Sequence, residues 1–181
     1  MNGKITVNNE LSLSDLKLDE KWRPKKMFNN IFLLEDEDDN KNWIIKIHKE
    51  KRYMHNELNR LNILKDIDNV PKVIASFSSD IMNYIIITKA KGIDLFEYTH
   101  RNDNFDEDDT KHIIQQLLQI LDNIHEKNII HGDIKPENII YDEESENIVL
   151  IDFEGKQTDL YRSPEQILGN VKGIKFMVGG G

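Results

Sequence analysis

The sequence predicts an α+β chain, a small antiparallel sheet followed by a mainly helical part, on three observations. Short runs of branched aliphatic residues between Ile31 and Thr88 are parted by polar turns, and a long amphipathic stretch runs from Asp106 to Lys127. Two further apolar runs, Ile139–Tyr141 and Ile148–Ile151, flank a polar one. Short β-branched runs read as strands and the long period of 3.6 as a helix.

Taken in order, residues 1–19 mix Asn, Ser and Asp with isolated leucines, a pattern that admits a short helix or an extended arm and is left unassigned. A basic run from Lys21 to Lys26 surrounds Trp22 and Pro24. Ile31–Leu34 reads as a strand, Glu35–Lys41 as a polar turn and Trp43–Ile47 as a second strand, together a hairpin. From Tyr53 to Leu64, the residues Met54, Leu58 and Leu61 fall at helical spacing with Glu57 off their line, which lets Glu57 face Lys46 across a cleft. Val73–Phe77 and Tyr84–Thr88 follow as strands, and Gly92 marks the exit.

In the long helix, Ile113, Leu117, Ile120, Leu121 and Ile124 repeat at the spacing of one buried face. Asn104 with Glu107 three residues on is the expected capping box, Asn replacing the usual Ser or Thr. The helix delivers the chain to Ile129-Ile130-His131, and the two apolar runs beyond form another hairpin. Asp133, Asn138 and Asp152 therefore stand at the edges of apolar elements, where polar side chains converge.

Composition bounds the possibilities. A chain of 181 residues makes one domain, or two small lobes sharing a core, and its 38% hydrophobic content permits a sizeable interior. Charged residues reach 31% and the formal net charge is -9, which argues against nucleic acid and anionic membrane as passive electrostatic partners. The absence of cysteine rules out disulfides, thiolate nucleophiles and Cys-based zinc sites. No apolar run suits a signal peptide or the ~20 residues of a membrane span, so a cytoplasmic, reducing setting is expected. The acidic runs Glu35–Asp39 and Asp103–Asp109 lack the Gly and terminal Glu of a calcium loop and read as a turn and a helix start.

The segment His131-Gly132-Asp133-Ile134-Lys135-Pro136-Glu137-Asn138, with Asp152-Phe153-Glu154 after it, carries the chemistry. One Asp can orient a hydroxyl while a nearby Asn amide binds a metal, and a second Asp can bind the metals from a neighbouring turn. These are the polar groups that phosphoryl transfer needs, and they imply ATP with magnesium. A lone Lys in an apolar strand is usually a surface residue that snorkels outward, but Lys46 comes with Glu57 at a fitting distance in sequence. His131 reads as a packed structural residue and not as an acid or a ligand.

This order of parts resembles the eukaryotic-type protein kinase family over about Phe28 to Glu165. The resemblance implies a kinase-like two-lobed fold over 20–178, with an N-lobe of about 20–90 and a truncated, mainly helical C-lobe of about 91–178. Trp43-Ile44-Ile45-Lys46 is similar to the family's Val-Ala-Ile-Lys strand, so Lys46 would hold the α- and β-phosphates and pair with Glu57. Ile31 and Ile44 would border the adenine, with Ile87 behind it and Thr88 to Ala90 as the hinge. His131-Gly132-Asp133 takes the place of His-Arg-Asp. Asp133 would be the base, Lys135 would stabilise charge on the moving phosphoryl group, and Asn138 and Asp152 would bind magnesium. Lys135 implies Ser/Thr as the acceptor, and Thr158 and Ser163-Pro164-Glu165 are similar to the end of the activation segment.

Departures from the family pattern are as informative. By register, the three glycines of the phosphate-covering loop fall at Pro24, Lys26 and Asn29, and Ile44 replaces a small Ala. Gly132 replaces the Arg that reads an activation-loop phosphate, and Thr158 comes only six positions after Asp152, so regulation by such a phosphate is not expected. Glu154 occupies a Gly position, which shifts the turn that orients Asp152. The chain ends sixteen residues after Glu165, from which a shortened lower lobe is expected. Three function classes stay open: a reduced Ser/Thr protein kinase acting on a protein substrate, a pseudokinase that binds a partner kinase, and a small-molecule phosphotransferase of the aminoglycoside or choline kinase type. The Asn- and Ile-rich composition fits a compact viral genome, for which the setting would be the host cytoplasm.

Overall fold

Isoleucine-rich segments build the first half of the molecule because β-branched side chains pack well on a pleated surface and lose little by being held there. The computed structural model describes residues 6–7, 11–12, 22–28, 30–36, 42–80, 82–102 and 106–155. It divides into two units, one of Met1–Asn62 with Pro71–Lys89 and one of Ile63–Val70 with Ala90–Gly181. The expectations for Thr158 and Ser163-Pro164-Glu165 lie outside the described residues.

In the first unit, β1 (Thr6–Val7) and β2 (Leu11–Ser12) form a two-stranded ladder. β3 (Trp22–Phe28), β4 (Ile31–Asp36), β5 (Asn42–His48), β6 (Val73–Ser78) and β7 (Asn83–Thr88) make an antiparallel sheet in the order β3-β4-β5-β7-β6. Helix α1 (Lys51–Ile63) connects β5 towards β6. Strand alternation sorts the side chains. Phe32, Leu34, Ile45, Ile47, Met82, Tyr84 and Ile86 form a buried cluster, with Phe77 stacked on Tyr84 at 4.6 Å between ring centroids. Lys46 and His48 alternate with Ile45 and Ile47 and so belong to the opposite face.

β3 is a strand that composition conceals, since Trp22–Phe28 contains Pro24 and three basic residues. It sits at the sheet's edge, and there a proline's missing N–H and solvated lysines are tolerated. A bulge between Lys26 and Phe28 precedes the hairpin tip, where the Asn30 carbonyl accepts the Ile47 amide at 2.9 Å.

In the second unit, Ile93–Asp94 (β8), Ile139–Asp142 (β9) and Asn147–Leu150 (β10) form a three-stranded antiparallel sheet. Two helices accompany it, α2 (Leu95–Arg101) and α3 (Glu107–Glu126). The helix α2 and strand β8 are too short to leave a periodic signal, and Asp94 starts the helix by accepting the Glu97 amide at 2.8 Å. In α3, Ile113, Leu117, Ile120 and Ile124 are buried as one stripe. The capping box differs from expectation. Asn104 lies outside the described residues, and the cap is Asp106, whose Oδ1 accepts from Asp108 and Asp109 while Asp109 answers the Asp106 amide. Glu107 is thus the first helical residue and too early to close a box.

Asn69 binds the sheet of this unit from the side: its Nδ2 donates to the Ile148 carbonyl and its carbonyl accepts the Leu150 amide, each at 2.9 Å. Gly92 enters β8 with φ of +105°, and a Cβ there would collide with the Tyr141 carbonyl. Gly92→Ala is expected to lower stability by about 2–3 kcal/mol, combining left-handed strain with overpacking against backbone. Urea denaturation checks this, and a loss under about 1 kcal/mol would mean the strand can yield. Among the described residues, no helix is long and apolar enough to cross a membrane.

Candidate active site

The loop from His131 to Asn138 is fixed by its own polar atoms before any ligand is considered. His131 is 1% exposed. Its Nδ1 accepts the Asp133 amide at 3.2 Å, so the ring hydrogen sits on Nε2, which donates to the Ile151 carbonyl at 2.8 Å. Phe153 lies edge-on to the ring at 4.8 Å. His131 therefore ties the loop to the end of β10, as its reading as a packed residue implied. Gly132 has φ of +86°, a conformation that costs a side-chain-bearing residue about 1–2 kcal/mol. Glycine adopts it without that cost.

Beyond it, Asp133 is 6% exposed, and its Oδ2 receives two donors. Lys135 Nζ and Asn138 Nδ2 each stand 3.0 Å away. Asn138 Nδ2 also donates to the Asp133 carbonyl at 2.8 Å, so both amide hydrogens are directed at Asp133 and Oδ1 is the atom left to accept a cation. Pro136–Asn138 forms a short 3₁₀ turn, closed by the Asn138 amide on the Lys135 carbonyl. The Ile151 amide then donates to the Asn138 carbonyl at 2.9 Å, which sets the residue before Asp152 against the turn that carries Asn138.

Asp152 itself is half-buried with φ of +69°. An aspartate tolerates this left-handed region better than most residues, yet the strain marks a site where surrounding structure overrides local preference. Gly155, with φ of +79°, completes the turn after Glu154.

In the first unit, Lys46 Nζ meets Glu57 Oε1 at 2.7 Å, with the two side chains 6% and 1% exposed. Such a pair survives burial because the attraction between the two charges and their hydrogen bond offset part of the cost of desolvating each. Ladder register places Ile31 and Ile85 directly across from Lys46, and Leu33 and Ile87 across from Ile44. Residues so opposed share one face, which brings Ile31, Ile44 and Ile87 beside Lys46 and adds Leu33, which pattern reading passed over. The signal was available: Leu33 is two positions from Ile31 and must share its face. Thr88 is half-buried, and its Oγ1 accepts the Lys72 amide at 2.9 Å. Ala90 begins the longer stretch of the second unit and is half-buried. His48 was also missed. Its Nε2 lies 3.4 Å from Glu57 Oε2, and its place two residues after Lys46 was the clue.

A protein kinase domain model matches residues 27–174. The chain is 35% identical over 127 residues to serine/threonine-protein kinase 1 of African swine fever virus, covering 69% of this chain and 41% of that one. With serine/threonine-protein kinase B of Synechocystis sp. it shares 33% identity over 103 residues, 57% of this chain and 18% of the relative. It thus spans less than half the length of these curated relatives. The fold matches the structure of the Cydia pomonella granulovirus kinase PK-1 with a TM-score of 0.70 at 23% identity, over 82% of this chain and 60% of the other.

Proposed function

This chain belongs to the protein kinase domain family, and from that premise we propose that it transfers the γ-phosphate of ATP, with magnesium, to Ser or Thr of a protein substrate in a cytoplasmic setting. The observation that carries the reading is the convergence of Lys135 Nζ and Asn138 Nδ2 on Asp133 Oδ2, each at 3.0 Å. A buried carboxylate held by two donors has a fixed direction, which is what orienting an acceptor hydroxyl and taking its proton requires. Lys135 stays within reach of the charge that develops on the phosphoryl oxygens. In the first unit, Lys46, oriented by Glu57, is the proposed contact for the α- and β-phosphates, beside an apolar surface of Ile31, Ile44 and Ile87 suited to a flat base. The backbone at Thr88 and Ala90 is the proposed hinge.

The donor chemistry of Asn138 and Asp152 fits magnesium, since one amide oxygen and one carboxylate suit a hard cation that keeps several waters and also binds nucleotide phosphates. When bound, that ion would neutralise charge on the transferring group. A second reading, a pseudokinase that binds a partner, rests on one observation. Lys25 and Lys26 are exposed strand residues, Phe28 is 65% exposed, and no glycine stands between Trp22 and Phe28 to let backbone approach phosphate closely.

Magnesium-ATP decides between them. At about a hundredfold its Kd it should stabilise the protein by about 2.7 kcal/mol, and labelled γ-phosphate should appear on a protein acceptor. Asp152→Ala should lose both effects. A thermal shift without transfer favours the pseudokinase, phosphate moving only to an aminoglycoside or choline favours a small-molecule enzyme, and no shift at millimolar nucleotide removes the kinase reading.

A further inference from the structure

The ion pair with Lys46 uses only one oxygen of Glu57. Oε2 is buried and receives no hydrogen bond among the described residues. Leaving a buried carboxylate oxygen unmet is costly, and what stands beside it is the imidazole of His48, with Nε2 3.4 Å away and both side chains at most 2% exposed. Lys46 and His48 project from the same face of β5 towards the one acidic side chain among the buried residues of α1.

Resting on the kinase reading of this site, we propose that His48 is a positioning residue for nucleotide binding, a second clamp on Glu57. Nucleotide phosphates compete with Glu57 for the Lys46 ammonium. A carboxylate held at one oxygen can rotate about its last torsion and let the ammonium and α1 drift. Held at both oxygens it stays aligned, and the orientation of Lys46 is settled before the nucleotide arrives. With its hydrogen on Nε2, a neutral ring 3.4 Å from Oε2 needs only a small shift to donate to it, and an imidazolium attracts the carboxylate more strongly.

The test is magnesium-ATP titration of the whole chain by calorimetry, with unliganded melting temperature recorded for each variant. His48→Leu fills the same space without a donor and should raise the Kd by roughly tenfold, whereas His48→Gln, whose amide nitrogen reaches near the Nε2 position, should stay within about threefold of wild type. If Leu fails to fold, His48→Asn replaces it, because its shorter amide falls short of Glu57. In a Glu57→Gln background the His48 substitution should add nothing further, a non-additivity that a merely structural histidine would not produce. Equal affinity of the Leu (or Asn) and Gln variants, or an undiminished effect in the Glu57→Gln background, overturns the inference while leaving the kinase reading standing. Absence of binding by wild type overturns both.

Discussion

Asp133→Asn is expected to lower phosphoryl transfer by about 10²–10⁴-fold while leaving the fold and nucleotide binding nearly intact. The substitution is isosteric, and the amide oxygen can still accept Lys135 Nζ and Asn138 Nδ2, the donors that now meet Asp133 Oδ2 at 3.0 Å. What changes is the second carboxylate oxygen, which becomes an N–H₂ group and can no longer take a hydroxyl proton. Because His131 and the Gly132 backbone fix the loop independently of that carboxylate, the geometry around it should persist. Initial rates of γ-phosphate transfer, measured beside the magnesium-ATP thermal shift, read the two effects separately. A variant retaining more than a tenth of wild-type rate would remove Asp133 from the role of base.

How much of this was legible in the sequence depends on how strongly each segment speaks for itself. The strands between Ile31 and Thr88 and the hairpin of β9 and β10 are legible because isoleucine runs bounded by polar turns have few other uses. Helix α3 is legible because four buried residues recur on one face. Trp22–Phe28 is not, because an edge strand needs only one neighbour and its side chains are free to be basic. Nor are β8 and α2, since elements of 2 and 7 residues are decided by packing and by a single cap at Asp94 and not by propensity. The box at Asp106 was hidden by a crowd of acids in which several candidates look alike.

At the site the same contrast holds. The proximity of Asp133, Lys135 and Asn138 follows from six residues of chain wound through one short turn, so their meeting is nearly dictated by sequence. The meeting of Lys46 with Glu57 crosses a strand and a helix, and alternation of β5 places Lys46. Glu57, however, is buried in line with Met54 and Leu61, with Leu58 only half-buried, and not off the apolar line as periodicity alone suggests, because the ion pair lets a carboxylate occupy a core position. His48 shows the cost of reading motifs as isolated letters: alternation places it on the Lys46 face as firmly as it places Lys46 there.

Lys46→Met should have the largest effect on stability, about 3–5 kcal/mol, because it strands Glu57 as a buried charge. The pair is closed at 2.7 Å with both side chains almost fully buried, so solvent cannot rescue the carboxylate cheaply. Glu57→Gln is the milder break, since its amide oxygen still accepts from the Lys46 ammonium, and should cost less. The double variant Lys46→Met with Glu57→Leu separates stability from function. Two apolar side chains of similar volume against Met54 and Leu61, both buried in α1, should recover most of the lost stability and can exceed the native value, because neither member then has a charge to desolvate. Nucleotide affinity should not recover at all, since no ammonium remains to meet the phosphates. Urea denaturation gives the first quantity and magnesium-ATP titration the second. If the double variant were as unstable as Lys46→Met alone, the burial of the Glu57 charge would not be what the lysine offsets; if it bound nucleotide like wild type, Lys46 would not be the phosphate contact.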